Sequence, residues 1–223
     1  MTPVARRWLF ALVVCMVVVV VCVTELDRPI AVHADNAWRG TTIFALAVDF
    51  LRAVQLLLAV AIALVLGSTV WHVLGRQLPS QLQVAARGAW GMIAALLLSL
   101  ILKFAFGRSQ VVPPYLTHHI YQFRLLHGGQ DYAAFPSATM AVAAAMLAVL
   151  WIHASRLRAI YVAAGLLLGT SLVVTNGHWV GDIIAGAFLG VSVGWLAAET
   201  RRLPGLNARA YTRPSNDHAD SPG

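Results

Sequence analysis

Charge is what this sequence has least of. Only 11% of its 223 residues are Asp, Glu, Lys or Arg, where a soluble domain of this size carries about 25%. That shortage, beside 59% apolar residues, excludes an ordinary soluble domain. Lysine is scarcer still: Lys103 is the only one, and the other permanent cations are arginines. The net charge of +7 does not point to nucleic acid, because those arginines sit between apolar runs and form no continuous patch. Cysteine is limited to Cys15 and Cys22, seven apart within the first apolar run. Two such thiols exclude a disulfide framework and fit helix packing. A period-two strand pattern is missing as well.

Long apolar runs are what the chain does have. Six can be marked, at roughly 8–24, 43–66, 88–106, 137–154, 159–176 and 179–198. Each approaches the about 20 residues that cross a bilayer core as a helix. The expected fold is therefore all-α, a polytopic six-helix transmembrane bundle. Residues 1–42 form an N-terminal anchor helix and outer loop, 43–200 the membrane core, and 201–223 a disordered cytoplasmic tail without apolar period. The first run follows Arg6 and Arg7, and "VHA" at 32–34 resembles a signal-peptidase site. The run's length and the polar "TELDRP" before Ala34 favour a retained anchor.

Arginine sets the orientation. Arg6/Arg7, Arg76/Arg87, Arg156/Arg158 and Arg201/Arg202 flank alternate loops, which the positive-inside rule makes cytoplasmic. Three segments then lie outside: 25–40, 107–136 and the turn near 175–179. The second is a long loop rich in Pro, His, Gly and Tyr, a length that usually signals function or mobility. Gly186, Gly190 and Gly194 recur every four residues in the last run, as Gly165 and Gly169 do in the fifth. Both stripes are expected to bring helix backbones together.

Chemistry-bearing residues gather on the outer side. His178 and Asp182 are four apart, so on a helix they are neighbours. A carboxylate on one imidazole nitrogen fixes the tautomer and leaves the other as base, nucleophile or ligand. A buried polar pair joining two helices is the plainer reading. Pro136 and Ser137 suit a helix start, where free amides and the dipole favour an anion, although caps of this kind are common. Lys103 and Arg108 straddle the outer end of the third run. They aim two cations at one pocket, or else Lys103 snorkels to the headgroups. Asp49 and Arg52, three apart, read as a structural ion pair.

Taken in order, these residues resemble the type 2 phosphatidic acid phosphatase superfamily, integral-membrane lipid phosphatases related to bacterial acid phosphatases and vanadium haloperoxidases. The resemblance spans roughly 45–200. That family's signatures are Lys-x6-Arg-Pro, Pro-Ser-Gly-His and Ser-Arg-x5-His-x3-Asp. Here Lys103 is kept while Gln110 and Val111 stand at Arg-Pro. Pro136 and Ser137 are kept, with Ala138 and Thr139 at Gly-His. Ser171, His178 and Asp182 are kept, with Leu172 at Arg.

The resemblance implies a phosphohistidine route: His178 as nucleophile, Asp182 as its orienter, Lys103 and Ser137 as phosphate ligands. Thr139 falls among the phosphate ligands by position, and Arg108 is a substitute cation there. No metal or other cofactor is implied, since imidazole attacks. The expected partner is a phosphorylated or pyrophosphorylated lipid, such as a polyprenyl carrier, at the outer face of a cytoplasmic membrane; oligomeric state is left open. Threonine cannot supply the acid, so His118, His119 or His127 in the outer loop is the alternative donor. A poor acid favours a pyrophosphate leaving group over an alkoxide. Two other classes compete. One is a relative without turnover that binds or moves anionic lipid, favoured by the substituted motif positions. The other is a metal or haem protein using scattered histidines, weakened because His72 and His153 fall near the opposite face from His178.

Overall fold

A computed structural model describes residues 2–76 and 79–200; the expected tail at 201–223, with Arg201 and Arg202, lies outside the described residues. The fold is an all-α polytopic bundle. Five helices are long and apolar enough to cross a membrane: Pro3–Trp38, Thr42–Trp71, Leu82–Phe106, Ser155–Val174 and Val180–Glu199. The sixth apolar run forms a shorter helix, Ala138–His153. Among the described residues the only β pairing is an isolated bridge between Arg108 and Phe123.

The N-terminal segment departs from expectation. Helix α1 (Pro3–Val21) is capped by Thr2, whose hydroxyl accepts from the Ala5 N–H at 3.2 Å. It passes through a π turn at Cys22–Leu26 into α2 (Asp27–Trp38). The stretch 25–40, expected as an outer loop, is thus almost wholly helix. "TELDRP" does not break it: the helix runs on through Pro29, with the π turn directly before α2. The π turn absorbs the change in register. Ala31 and Ala34 are buried on α2, so the "VHA" triplet packs inward on one side.

Helix α3 (Thr42–Val73) carries Asp49 and Arg52, paired at 3.0 Å as read from their spacing. Helix α4 (Ser80–Phe106) ends at Gly107, whose backbone is left-handed at φ 51°. A Cβ there would lie 1.9 Å from the Arg124 carbonyl oxygen. Only glycine lets the strand-like pairing of 107–109 with 122–124 form, through Arg124 N–H to Gly107 O at 2.9 Å and Ser109 N–H to Gln122 O at 3.0 Å. The long loop is therefore ordered, with a π turn at Val111–Tyr115, the single turn α5 (Leu116–His118) and a 3-10 turn at Gln130–Tyr132. It closes one end of the bundle through an apolar cluster of Ala31, Val111, Ala134 and Trp179.

Helices α6 (Ala138–His153), α7 (Arg158–Val174) and α8 (Val180–Glu199) complete the bundle. The α8 glycine stripe does what its spacing predicts. A Cβ at Gly186, Gly190 or Gly194 would lie 2.4, 2.2 or 2.3 Å from the carbonyl oxygens of Ser137, Ala141 and Ala145. Backbone lies on backbone, so α8 is locked to α6 in register. The α7 pair behaves otherwise. A Cβ at Gly165 would meet nothing nearer than Leu147 Cδ1 at 3.8 Å, and at Gly169 only Ile183 Cγ2 at 3.5 Å. These glycines leave space instead of closing it. With α8 drawn onto α6, a groove of about 730 Å³ opens between α7 and α8, from Val180 and Ile183 down to Tyr161 and Trp195.

Candidate active site

The locked register of α6 and α8 assembles the site. Ser137 precedes α6, and its hydroxyl accepts from the Met140 N–H at 3.3 Å as a helix cap. Its own N–H donates to the Asp182 carbonyl at 3.0 Å. The start of one helix thus rests on the first turn of the other. Thr139 lies half-buried in that same first turn of α6.

Asp182 is fully buried and serves three neighbours. Its Oδ2 accepts from the Trp179 N–H at 3.2 Å and lies 3.6 Å from His178 Nδ1. Its Oδ1 accepts from Arg108 at 2.5 Å. His178 Nδ1 is shut off from solvent and has no hydrogen-bond partner within reach. The side chain nevertheless keeps 13% exposure, so the accessible edge is away from Nδ1. The ring therefore turns its shielded nitrogen toward the carboxylate and its open edge outward.

Arg108 is the residue whose surroundings sequence reasoning did not anticipate. Its side chain is 1% exposed. One terminal nitrogen meets Asp182 and the other meets Asp27 Oδ2, each at 2.5 Å. The second also donates to the Tyr121 hydroxyl at 2.7 Å. Rings of Tyr121, Phe123 and Trp179 surround the guanidinium carbon at 5.4, 5.1 and 5.3 Å. Burial alone would weaken its hold on the proton, but Asp182 and Asp27 outweigh that and raise its pKa. A guanidinium so engaged has its bidentate edge committed to protein carboxylates.

Lys103, in the last turn of α4, donates to the Ala133 carbonyl and, at 3.4 Å, to that of Ala134. It thereby ties α4 to the segment leading into Pro136 and Ser137. Ala134 N–H in turn donates to the Arg108 carbonyl at 3.1 Å. Lys103, Arg108, Ser137, His178 and Asp182 are thus joined by one short chain of contacts. The outer-loop histidines are exposed, His119 with its ring against Tyr115, His127 with its ring against Tyr132, and His118 next to His119 in the chain. At the Arg position of the third signature, Leu172 is buried against Met140, Leu168 and Ile183. His153 ends α6, a helix length from Ser137, and its Nδ1 sits 2.9 Å from the Val149 carbonyl. The side chain of His72 lies outside those described.

Three contributors went unread in the sequence. Asp27 was part of a polar link, Tyr121 part of a loop, and Trp179 an apolar neighbour of His178. Trp179 is 1% exposed, donates its indole N–H to the Ser109 carbonyl at 2.8 Å, and packs edge-on to Tyr115 and Tyr121. The one signal available was an acidic residue beside a membrane-length apolar run, which is costly without a partner.

The multi-pass helical bundle thus packs a histidine–aspartate turn on a serine-capped helix. The family model of the PAP2 superfamily matches residues 85–203, just over half of the chain. The chain belongs to that superfamily, whose members are phosphatases. The match begins within α4, so α1, α2 and Asp27 lie outside it. No curated protein and no solved structure matches the chain.

Proposed function

We propose that the chain removes phosphate from phosphorylated or pyrophosphorylated lipids, or transfers it, through a phosphohistidine on His178. The observation that carries this reading is the contact of Ser137 N–H with the Asp182 carbonyl at 3.0 Å. It sets an anion-favouring helix start beside a nucleophile and its orienting carboxylate.

In this reading the open nitrogen of His178, Nε2, attacks phosphorus. The bond from phosphorus to the leaving oxygen breaks as the N–P bond forms. Water then attacks phosphorus, the N–P bond breaks, and inorganic phosphate departs with the imidazole restored. An acceptor hydroxyl in place of water makes the step a transfer. Asp182 stabilises the ring while it carries positive charge. Ser137, Thr139 and Lys103 meet the phosphoryl oxygens, where fixed donors count most. Arg108 acts one step back, through Asp182. The groove between α7 and α8 begins at Val180 and Ile183, beside the site, and is lined by apolar side chains, which suits the hydrocarbon of a membrane lipid. Alternating arginine loops put the site on the non-cytosolic side of a cytoplasmic membrane.

Trapping labelled phosphate on the protein tests the reading. After brief incubation with a panel of phosphate-labelled lipids and an alkaline quench, under which an N–P bond survives, label should be found on His178, be released by acid, and vanish in His178→Ala. Label retained in that variant rejects the assignment. A second reading, a relative that binds or moves anionic lipid without turnover, is favoured by the commitment of Arg108 to two carboxylates and the burial of Leu172. Vanadate-sensitive phosphate release by the intact protein, absent in His178→Ala, decides against it.

A further inference from the structure

We propose that Asp27, on the N-terminal helix outside the family match, is a positioning residue for this reaction: it anchors Arg108 so that Arg108 holds Asp182 beside His178. The inference rests on the phosphohistidine reading and adds to it a component from another part of the chain.

The geometry is a relay of carboxylate, guanidinium, carboxylate and imidazole. Asp27 is fully buried, and both of its oxygens are used. Oδ2 takes one terminal nitrogen of Arg108 at 2.5 Å, while Oδ1 accepts from the Gly181 N–H at 3.0 Å. Gly181 directly precedes Asp182, so one side chain grips the orienting carboxylate both through its backbone and through Arg108. The fit leaves no spare room: a Cβ at Gly181 would lie 3.3 Å from Asp27 Oδ2 and 3.4 Å from Arg108. Tyr121 braces the same corner, its hydroxyl donating to the Val23 carbonyl at 2.6 Å while accepting from Arg108.

Charge explains why a second acid is needed. With Asp182 alone, a buried guanidinium would draw that carboxylate entirely to itself. Two carboxylates divide the guanidinium between them, each on its own terminal nitrogen. Asp182 Oδ2 then remains turned to Trp179 N–H and His178. The side-chain partners of Asp27 are Arg108, Tyr121 and the Gly181 N–H, none of which this reading sets on phosphate, so its removal acts on turnover and not on binding.

A double-mutant cycle separates this from simple helix capping. Phosphate release is measured in detergent micelles from farnesyl diphosphate and from phosphatidic acid, for intact protein, Asp27→Asn, Arg108→Met and both together. Asp27→Asn should lower kcat about 100-fold with KM changed less than threefold, in the range lost when a catalytic group is misplaced. Asp27→Glu should recover at least a tenth of wild-type kcat. In the Arg108→Met background Asp27→Asn should cost less than threefold more. Losses that multiply, or an Asp27→Asn protein with wild-type kcat, overturn the proposal. If Asp27→Asn does not elute as a single species, Gly181→Ala crowds the same contact and should show the same dependence on Arg108; an effect independent of Arg108 overturns it equally. His178→Ala marks the other failure: wild-type release from this variant, or no release by the intact protein, brings down the phosphohistidine reading and this inference with it.

Discussion

Gly190 and Ala141 meet backbone to backbone: a Cβ on the glycine would stand 2.2 Å from the Ala141 carbonyl oxygen. This contact and its repeats at Gly186 and Gly194 hold α8 on α6, and that register puts Asp182 over Ser137. Small residues at such crossings decide whether helices in lipid can approach at all.

Gly190→Ala should therefore destabilise the protein, by about 1–3 kcal/mol or more for overpacking, and phosphate release should fall with it. Gly165→Ala, facing open space, should leave the melting temperature in detergent unchanged. Gly165→Leu should keep that stability too but discriminate against long-chain lipids, because it fills the groove. Thermal unfolding and a chain-length series measure these outcomes; equal melting temperatures for Gly190→Ala and Gly165→Ala would refute the assigned packing.

Ser137→Ala removes the cap on Met140 N–H. It should cost about 1 kcal/mol of stability, the usual worth of a helix cap. The phosphoryl contact proposed for the same hydroxyl should disappear as well, lowering kcat/KM by roughly 10-fold or more. Ser137→Thr keeps the hydroxyl and should restore much of the stability. Activity unchanged in Ser137→Ala would leave the hydroxyl as a cap alone.

Tyr121 gives the site an alkaline sensitivity. Burial is the main cause that pushes its phenol up to about 12, and Asp27 and Asp182 add to it, while Arg108 works the other way. The ordinary tyrosine value is about 10. A raised pKa means that the folded state keeps its proton while the unfolded chain loses it. The stability from this group is complete below about pH 10 and is lost as pH rises toward 12. Melting temperature should fall across that window, and fall less steeply in Tyr121→Phe. Parallel curves for the two proteins would show that another group governs the alkaline loss.

Leaving-group chemistry predicts the substrate. By the motif resemblance, Thr139 stands at the position of an acidic histidine, and the loss of an acid typically costs about 10²–10⁴-fold in rate. Attack on the terminal phosphorus of a lipid diphosphate expels a lipid monophosphate, which needs little protonation. Release from farnesyl diphosphate should exceed that from phosphatidic acid by at least 10-fold in kcat/KM. Preference for phosphatidic acid would show that another residue donates the proton.

Much of the bundle was legible because hydropathy in lipid is nearly a one-variable problem: long apolar runs become helices. The Asp182–His178 spacing and the serine cap were legible for the same reason, since each is a local pattern. What stayed hidden was long-range. Asp27 and Arg108 are 81 residues apart, and nothing local tells a helical "TELDRP" from a loop. Gly165 and Gly169 carry the same spacing as the α8 stripe, yet only the placement of α8 on α6 determines which stripe closes and which opens. In the sequence Arg108 reads as a cation aimed at a phosphate pocket, because its two carboxylate partners come from distant helices.

The N-terminal helix has a consequence for biosynthesis. Asp27 leaves the ribosome 81 residues ahead of the arginine that neutralises it. During that interval its carboxylate lacks the guanidinium it pairs with in the fold. The contacts of its side chain to Arg108 and to the Gly181 N–H are made with segments that come far later in the sequence. The burial of that acid therefore waits on Arg108 and Gly181, however early the first helix is made.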